Sequence, residues 1–140
     1  MISNLSEYFI PEQEIFLDTI SYKRIEDSKN EEKQELSLLC KDDIDTLVTD
    51  DFVQIIITRE LVFYPEAMFS LIVSFGACLK FNERKEEQNW ADIDLAKEFS
   101  ENGQFITSQL MSRISLLIGQ ITSSFGQQPL VLPVTIINSH

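Results

Sequence analysis

Apolar and polar residues alternate through a long central stretch of the chain, and this pattern predicts two β-strands. Between residues 69 and 81 every odd position is apolar, as is typical of a strand with one buried face. Residues 53 to 63 follow the same period of two. Between the two runs lies Tyr64-Pro65-Glu66-Ala67, where proline suits a turn because it cannot donate to a sheet. We therefore expect an antiparallel hairpin.

Two further strands are expected upstream, over Ile15–Ile25 and Glu35–Cys40, because both segments are rich in β-branched and aromatic residues. The charged stretch 26–33 between them is expected to be a loop. The acidic segment Asp42–Asp51 is expected to be the connection that returns the chain to the sheet. Gly76, inside the clearest strand, suggests a β-bulge.

After Asn82 the period changes to that of helices. Residues 89–99 predict a short helix that ends near Asn102-Gly103, a typical terminating pair. A longer helix is expected from Gln104 to Ser124, because its apolar residues recur at spacings of three and four. Prolines then predict an extended tail over 127–136. The chain is thus expected to form a single α+β domain, residues 1–140, with a four-stranded antiparallel sheet followed by a short and a long C-terminal helix.

Composition and charge argue against several classes of partner and location. The 140-residue chain is 44% hydrophobic and carries a formal charge of −12, so it would repel a polyphosphate and we expect no nucleic-acid partner. No signal sequence is visible at the start, and no span approaches the roughly 18 apolar residues of a membrane helix. We expect a cytoplasmic location without membrane insertion. Cys40 and Cys78 are expected to be reduced thiols in the core.

The residues that usually carry catalysis are nearly absent. The one histidine is His140, the last residue, and the four glycines are too far apart to form a phosphate-binding loop. We therefore expect no enzymatic activity, no metal and no cofactor. The acidic groups at 42–45 and 92–94 lack the pattern of a calcium loop and are expected to be solvated. Trp90 is expected to cap the short helix rather than to anchor a partner.

The sheet is expected to have two apolar faces, because Ile56, Val62 and Ile72 point away from the face that the long helix covers. The second face should then meet another subunit, a ligand or a peptide. The alternative is that residues 8–11 fold over it. The candidate peptide-binding residues, each of which could instead belong to the core or to a subunit interface, are Phe9, Ile10, Phe52, Ile56, Val62 and Ile72.

Three segments together carry a family resemblance. The hairpin sequence RELVFYP at 59–65, leading into residues 69–73, is similar to paired strands of the SecB family of export chaperones and their SecB-like relatives. The long helix, with Arg113 early in it, and the tail GQQPLVLP at 126–133 resemble the same family. The similarity spans residues 53–137, and more loosely 18–25. At Gln128 and Val134 the tail lacks prolines that the family pattern has.

The resemblance implies a homotetramer, a dimer of dimers in which helices are sandwiched between sheets. It also implies an ATP-independent chaperone that holds unfolded or presecretory polypeptides in apolar grooves, for protein export through the ATPase SecA. The members that serve export carry a zinc-binding tail that docks on SecA, whereas this chain has no cysteine near its end. The resemblance implies SecA as a partner, and the missing zinc tail argues against it. The alternatives are a dedicated SecB-like chaperone of a toxin–antitoxin system and an oligomeric adaptor that binds one folded partner.

Overall fold

The computed structural model describes residues 2, 4–25, 37–65, 67–124 and 130–136. Its four strands form one antiparallel sheet in the order β1-β4-β3-β2. Two α-helices follow the strands, so the expected α+β architecture is confirmed. The elements are β1 (Phe9–Arg24), β2 (Ser37–Val48), β3 (Phe52–Tyr64), β4 (Phe69–Phe81), α1 (Leu95–Asn102) and α2 (Gln104–Ser123), with short 3-10 turns at Leu5–Tyr8, Glu83–Glu87 and Trp90–Asp92.

The central strands β3 and β4 agree with the alternation of the sequence. Odd-numbered residues of both strands face the helices, and most of them are buried, whereas the even-numbered residues of β3 are half-buried on the other side. We call these two sides the helix-covered face and the outer face. Helix α2 seals the first of them with a row of fully buried side chains: Ile106, Leu110, Met111, Ile114 and Ile118.

Strand β1 begins six residues earlier than expected, and its regular pairing is interrupted twice. One irregularity lies between Phe9 and Gln13 and the other between Leu17 and Thr19. The bulge expected at Gly76 was therefore wrong, because the extra residues lie in the partner strand. Gly76 instead makes room for an aromatic ring, since a Cβ atom there would lie 2.5 Å from Cζ of Phe16.

Strand β2 corrects a second expectation. Most of the acidic segment from Asp42 onward is strand rather than connection, and only residues 49–51 turn the chain back into β3. The segment has a period of two that its charges disguise, with Ile44, Thr46 and Val48 on the helix-covered face. An edge strand tolerates exposed charges because one side of it borders solvent.

Helix α1 is shifted towards the C-terminus relative to the expected 89–99. It begins at Leu95, where the Asp94 side chain accepts a hydrogen bond from the backbone N–H of Lys97. It ends at Asn102, as the Asn-Gly pair predicted. Gly103 separates the helices because a Cβ atom there would lie 2.5 Å from the carbonyl oxygen of Phe99. The predicted long helix is confirmed over 104–123.

Six aromatic side chains close one end of the helix-covered face, and we call them the aromatic cluster. Phe9 stacks on Phe81 at 5.4 Å between ring centroids, and Phe81 lies 4.9 Å from Trp90. Phe9 enters the sheet opposite Phe81, so the N-terminal segment does not fold over the outer face, and that alternative was wrong. The members are Tyr8, Phe9, Phe81, Trp90, Phe99 and Phe105.

Two smaller expectations also meet the structure. Trp90 is buried, and its Nε1 donates to the carbonyl oxygen of Lys85 at 2.9 Å, so it packs within the protomer as expected. Cys40 and Cys78 are free thiols and both are half-buried. Within the residues that the structure describes, no helix combines the length and hydropathy needed to cross a bilayer.

Candidate functional site

Four of the six candidate peptide-binding residues lie on the outer face. Ile56 is opposite Gly76, over which the ring of Phe16 rests, so the two apolar side chains are neighbours across β4. Val62 is opposite Leu39, which is 49% exposed on β2. All four are half-buried in the protomer, and they are Phe52, Ile56, Val62 and Ile72.

Charged residues divide this outer face into separate patches. Ile72 lies opposite Glu60, and Phe52 lies opposite Lys80. At the usual rise of about 3.4 Å per strand residue, the ten positions from Phe52 to Val62 span about 34 Å. The four residues therefore do not form one pocket, although each contributes apolar area to a long surface.

The other two candidate residues are placed differently. Phe9 is only 5% exposed within the aromatic cluster, so it offers a ligand almost no surface in the protomer. Ile10 is half-buried at the start of β1, beside the first irregularity of that strand. A peptide-binding role stays a prediction for Ile10 and for the four residues of the outer face.

An apolar strip on β1 is the surface that the sequence analysis missed. Leu17, Ile20 and Tyr22 are 49%, 46% and 43% exposed. Their partners on β4 are odd-numbered, so all three lie on the helix-covered face, where the helices do not reach them. The irregularity between Leu17 and Thr19 changes the parity of the strand from odd to even, which hides the strip from a period-two analysis. We call these residues the β1 strip.

A groove lies between α2 and the C-terminal segment 130–136, which is neither helix nor strand and bends at Val134 and Thr135. We call this segment the strap. The groove has a volume of about 420 Å³. Its walls carry the exposed side chains of Leu116 on the helix and of Val131 and Val134 on the strap. Arg113 is the one charged residue of the 20-residue helix, so the outward surface of α2 is almost uncharged. Such a surface can approach another apolar surface without a large desolvation cost.

A buried ion pair lies beneath the strap. Arg59 and Asp42 are directly opposite each other on β3 and β2, on the helix-covered face. The guanidinium binds the carboxylate in a bidentate manner, with Nε to Oδ1 and Nη2 to Oδ2 both at 2.7 Å, and both side chains are fully buried. Desolvation acts to lower the pKa of Arg59, but the hydrogen bond and charge of Asp42 outweigh it and raise that pKa. The guanidinium of Arg59 therefore stays protonated in the core.

The strap is held over this pair through its own backbone. Arg59 donates from Nη1 to the carbonyl oxygen of Pro133 at 2.7 Å and from Nη2 to that of Thr135 at 3.1 Å. On α2, Ser115 Oγ donates to the carbonyl oxygen of Leu132, and Thr122 Oγ1 accepts from the N–H of Leu130, both at 2.8 Å. We call Asp42, Arg59, Ser115 and Thr122 the seat of the strap.

Arg59 was missed as a site residue, although the sequence carries a signal for it. It occupies an inward-facing position in a strand whose other inward positions are apolar, between Ile57 and Leu61. A charged residue at such a position requires a buried partner of opposite charge. Asp42 was expected to be solvated, and that expectation was wrong. Only the strand register distinguishes it from Asp43, which is exposed on the outer face.

The apolar surfaces and the seat of the strap are suited to binding a polypeptide. Among the described residues, no group of three or more His, Cys, Asp and Glu side chains is placed to hold a metal ion. The described surface offers exposed apolar side chains on both faces of the sheet and a set of side chains that hydrogen-bond to extended backbone. Apolar burial combined with backbone hydrogen bonds can retain a polypeptide with little dependence on its sequence.

Comparison with known proteins identifies the fold. The chain is similar to a SecB-like chaperone of Mycobacterium tuberculosis, solved in complex with a ChAD peptide from the HigA1 antitoxin, with a TM-score of 0.70 and 14% sequence identity. The similarity covers 93% of this chain and 89% of the other. A protein of unknown function from Streptococcus agalactiae has a TM-score of 0.47 and 11% identity, covering 87% of this chain and 95% of that one. No protein-family model and no curated protein matches the sequence. The fold is thus SecB-like.

Proposed function

We propose that this protein is an ATP-independent chaperone that holds unfolded or presecretory polypeptides in the apolar grooves of a homotetramer. The observation that carries the proposal is the β1 strip, where Leu17, Ile20 and Tyr22 extend the core face beyond the reach of the helices. Burial of such surface stabilises a complex by roughly 25 cal/mol per Å². The proposed activity needs no nucleotide, metal or catalytic side chain.

The charge of the chain supports the same proposal. A net charge of −12 would attract basic segments of unfolded clients and would keep an assembly with apolar grooves soluble. The SecB-like fold adds support, since it is shared with a chaperone that was solved with a bound peptide. We place the protein in the cytoplasm, where its two free thiols would remain reduced.

An aggregation assay tests the holding activity. The protein is mixed with a chemically denatured client, and light scattering is followed as the denaturant is diluted. We expect suppression at one tetramer per client. Ile20→Asp, in the β1 strip, should reduce suppression several-fold, because a charge would have to be desolvated in the complex. Ala91→Asp is the matched control, since it adds the same charge at an exposed position of the turn Trp90–Asp92, outside the candidate surfaces.

The mass of the protein in solution tests the assembly. Light scattering after size-exclusion chromatography should give four chains. We expect Leu116→Asp on α2 to lower the mass, because the nearly uncharged outward surface of that helix is the surface proposed to meet another protomer. Ile72→Asp makes the same test for the outer face. A monomeric wild-type protein that leaves client aggregation unchanged would contradict the proposal.

A dedicated chaperone of a toxin–antitoxin system is the second candidate. It is favoured by one finding, the antitoxin peptide in the structure of the mycobacterial protein. The two candidates differ in client range. A dedicated chaperone should co-purify with one protein and should leave unrelated denatured clients to aggregate, whereas a general one should protect several. An adaptor for a folded partner would also protect none of them, but its partner would bind in the native state.

A further inference from the structure

Arg59 has a buried guanidinium that one carboxylate cannot satisfy. Asp42 balances its charge and accepts hydrogen bonds from Nε and from one N–H of Nη2. The guanidinium has five N–H donors, and a buried donor without an acceptor is costly. The further acceptors are the carbonyl oxygens of Pro133 and Thr135, which come from an unpaired extended segment rather than from the sheet.

The strap is recognised by its backbone. Each of the four seat contacts engages a backbone N–H or carbonyl of the strap, and none engages a strap side chain. Successive carbonyl groups of an extended chain point in opposite directions. Accordingly, the carbonyl of Leu132 is directed to Ser115 on α2, whereas that of Pro133 is directed to Arg59 on the sheet. The seat therefore binds backbone groups of the strap and makes no hydrogen bond that depends on the identity of its side chains.

The strap side chains add one compositional requirement. Leu130, Leu132 and Ile136 pack against the core, while Val131 and Val134 are exposed. Residues 130–136 carry no charge. The seat has no net formal charge, because the negative charge of Asp42 balances the positive charge of Arg59. An uncharged segment with apolar side chains at suitable positions is thus what the seat fits.

We infer that the seat is a binding site for an extended apolar segment of a client polypeptide, and that the strap occupies it as an intramolecular competitor. The inference rests on the proposed function and names where the backbone of the client is bound. In the absence of a client, the strap supplies the acceptors that Arg59 needs and covers the core. Because it is tethered, its effective concentration at the seat is on the order of millimolar, so only segments that bind strongly would displace it.

A labelled peptide with the sequence LVLPVTI, residues 130–136, tests the seat by fluorescence anisotropy. In the variant Leu130→Asp with Leu132→Asp, the strap loses its core contacts and the seat should open. Val131→Asp with Val134→Asp is the matched control, because it adds the same two charges at exposed strap positions. We expect the peptide to bind the opened variant at least about tenfold more tightly than the control or the wild type, because it no longer competes with a tethered strap.

Two further substitutions show whether the peptide occupies the seat. Ser115→Ala and Thr122→Val, introduced into the opened variant, remove both α2 partners of the ligand backbone and leave the buried ion pair intact. Peptide affinity should fall about tenfold, as expected for two hydrogen bonds of ordinary strength. Equal binding to all of these proteins would mean adsorption elsewhere and would overturn the inference.

Client capture is measured on the same proteins. The opened variant should suppress aggregation at a lower molar ratio than the wild type, and the peptide should compete with the client. If the peptide binds but does not change client capture, the seat serves the strap alone. If adding the peptide lowers the solution mass of the wild-type assembly, the seat is assigned to a strap from another protomer. Either result overturns the inference. If the wild type suppresses aggregation but the opened variant does not bind the peptide, the seat is rejected and the proposed function stands. If no variant suppresses aggregation, both are rejected.

Discussion

Two regions of the helix-covered face are covered by different interactions. At one end the aromatic cluster excludes water through contacts between rings, and Phe99 at its centre has no exposed surface. Near the middle of β3, the strap covers Arg59 through hydrogen bonds to its own backbone, and its outer side chains remain exposed.

The difference indicates which of the two regions could bind a different polypeptide in place of the segment that now covers it. Ring contacts depend on the shapes of particular side chains, so a different polypeptide could not replace them without leaving a cavity. Backbone hydrogen bonds are available from any extended segment. The aromatic cluster is therefore a permanent part of the core, whereas the segment that covers Arg59 could be replaced by another polypeptide segment.

The largest expected effect comes from breaking the aromatic end. Phe99→Ala should lower the free energy of unfolding by roughly 3–5 kcal/mol, because it creates a cavity in a fully buried cluster. Urea unfolding followed by circular dichroism measures this loss. Phe16→Ala on the outer face is the control, expected to cost about 1–2 kcal/mol because its ring is half-buried. Equal losses would contradict the difference in packing.

The next largest loss of stability is expected from breaking the ion pair between Arg59 and Asp42. Arg59→Met should cost about 3 kcal/mol, because Asp42 would remain in the core without the guanidinium. Adding Asp42→Leu should recover much of that loss, since two apolar side chains of similar volume need no charge partner. The same urea experiment, analysed as a double-mutant cycle, checks the prediction. A double variant as unstable as the single one would indicate that the strap contacts of Arg59 dominate.

A smaller effect is expected from the hydrogen bonds between α2 and the strap. Ser115→Ala removes the donor to Leu132, and we expect a loss of about 0.5–1.5 kcal/mol, as for a typical neutral hydrogen bond. Ser108→Ala is the control, because that hydroxyl donates to the Gln104 carbonyl of its own helix and is exposed. A loss of more than about 3 kcal/mol for Ser115→Ala would show that the strap is integral to the fold rather than replaceable.

The smallest effect concerns the thiol beside the seat. Desolvation raises the pKa of Cys40, with Arg59 acting to lower it and Asp42 to raise it. Since the folded state holds this proton more tightly than the unfolded chain, the resulting stabilisation is complete at neutral pH and is lost as pH rises through the folded-state pKa. Alkylation of Cys40 in a Cys78→Ala background should be slow at neutral pH and should accelerate only at alkaline pH. Rapid alkylation at neutral pH would contradict the raised pKa.

Local patterns were sufficient for much of the architecture. The period-two runs of β3 and β4, the helical spacing of α2 and the Asn-Gly stop of α1 each depend on neighbours within a few positions, and all four were predicted from the sequence. The outward placement of Ile56, Val62 and Ile72 follows from the same periodicity. Their use by a client remains a prediction, because alternation specifies a face and not what contacts it.

Long-range pairing decided the remainder. The irregularity after Leu17 creates the β1 strip, yet it exists only relative to the register of β4. Asp42 and Asp43 have the same side chain, and only their placement opposite Arg59 and Thr58 makes one a buried ion partner and the other exposed. Pro133 keeps the strap out of a helix, but the position of the strap depends on Arg59, which lies 74 and 76 residues before the two carbonyl groups that it binds. Sequence periodicity records which way a side chain points, whereas the partner that it meets is determined when distant segments pack together.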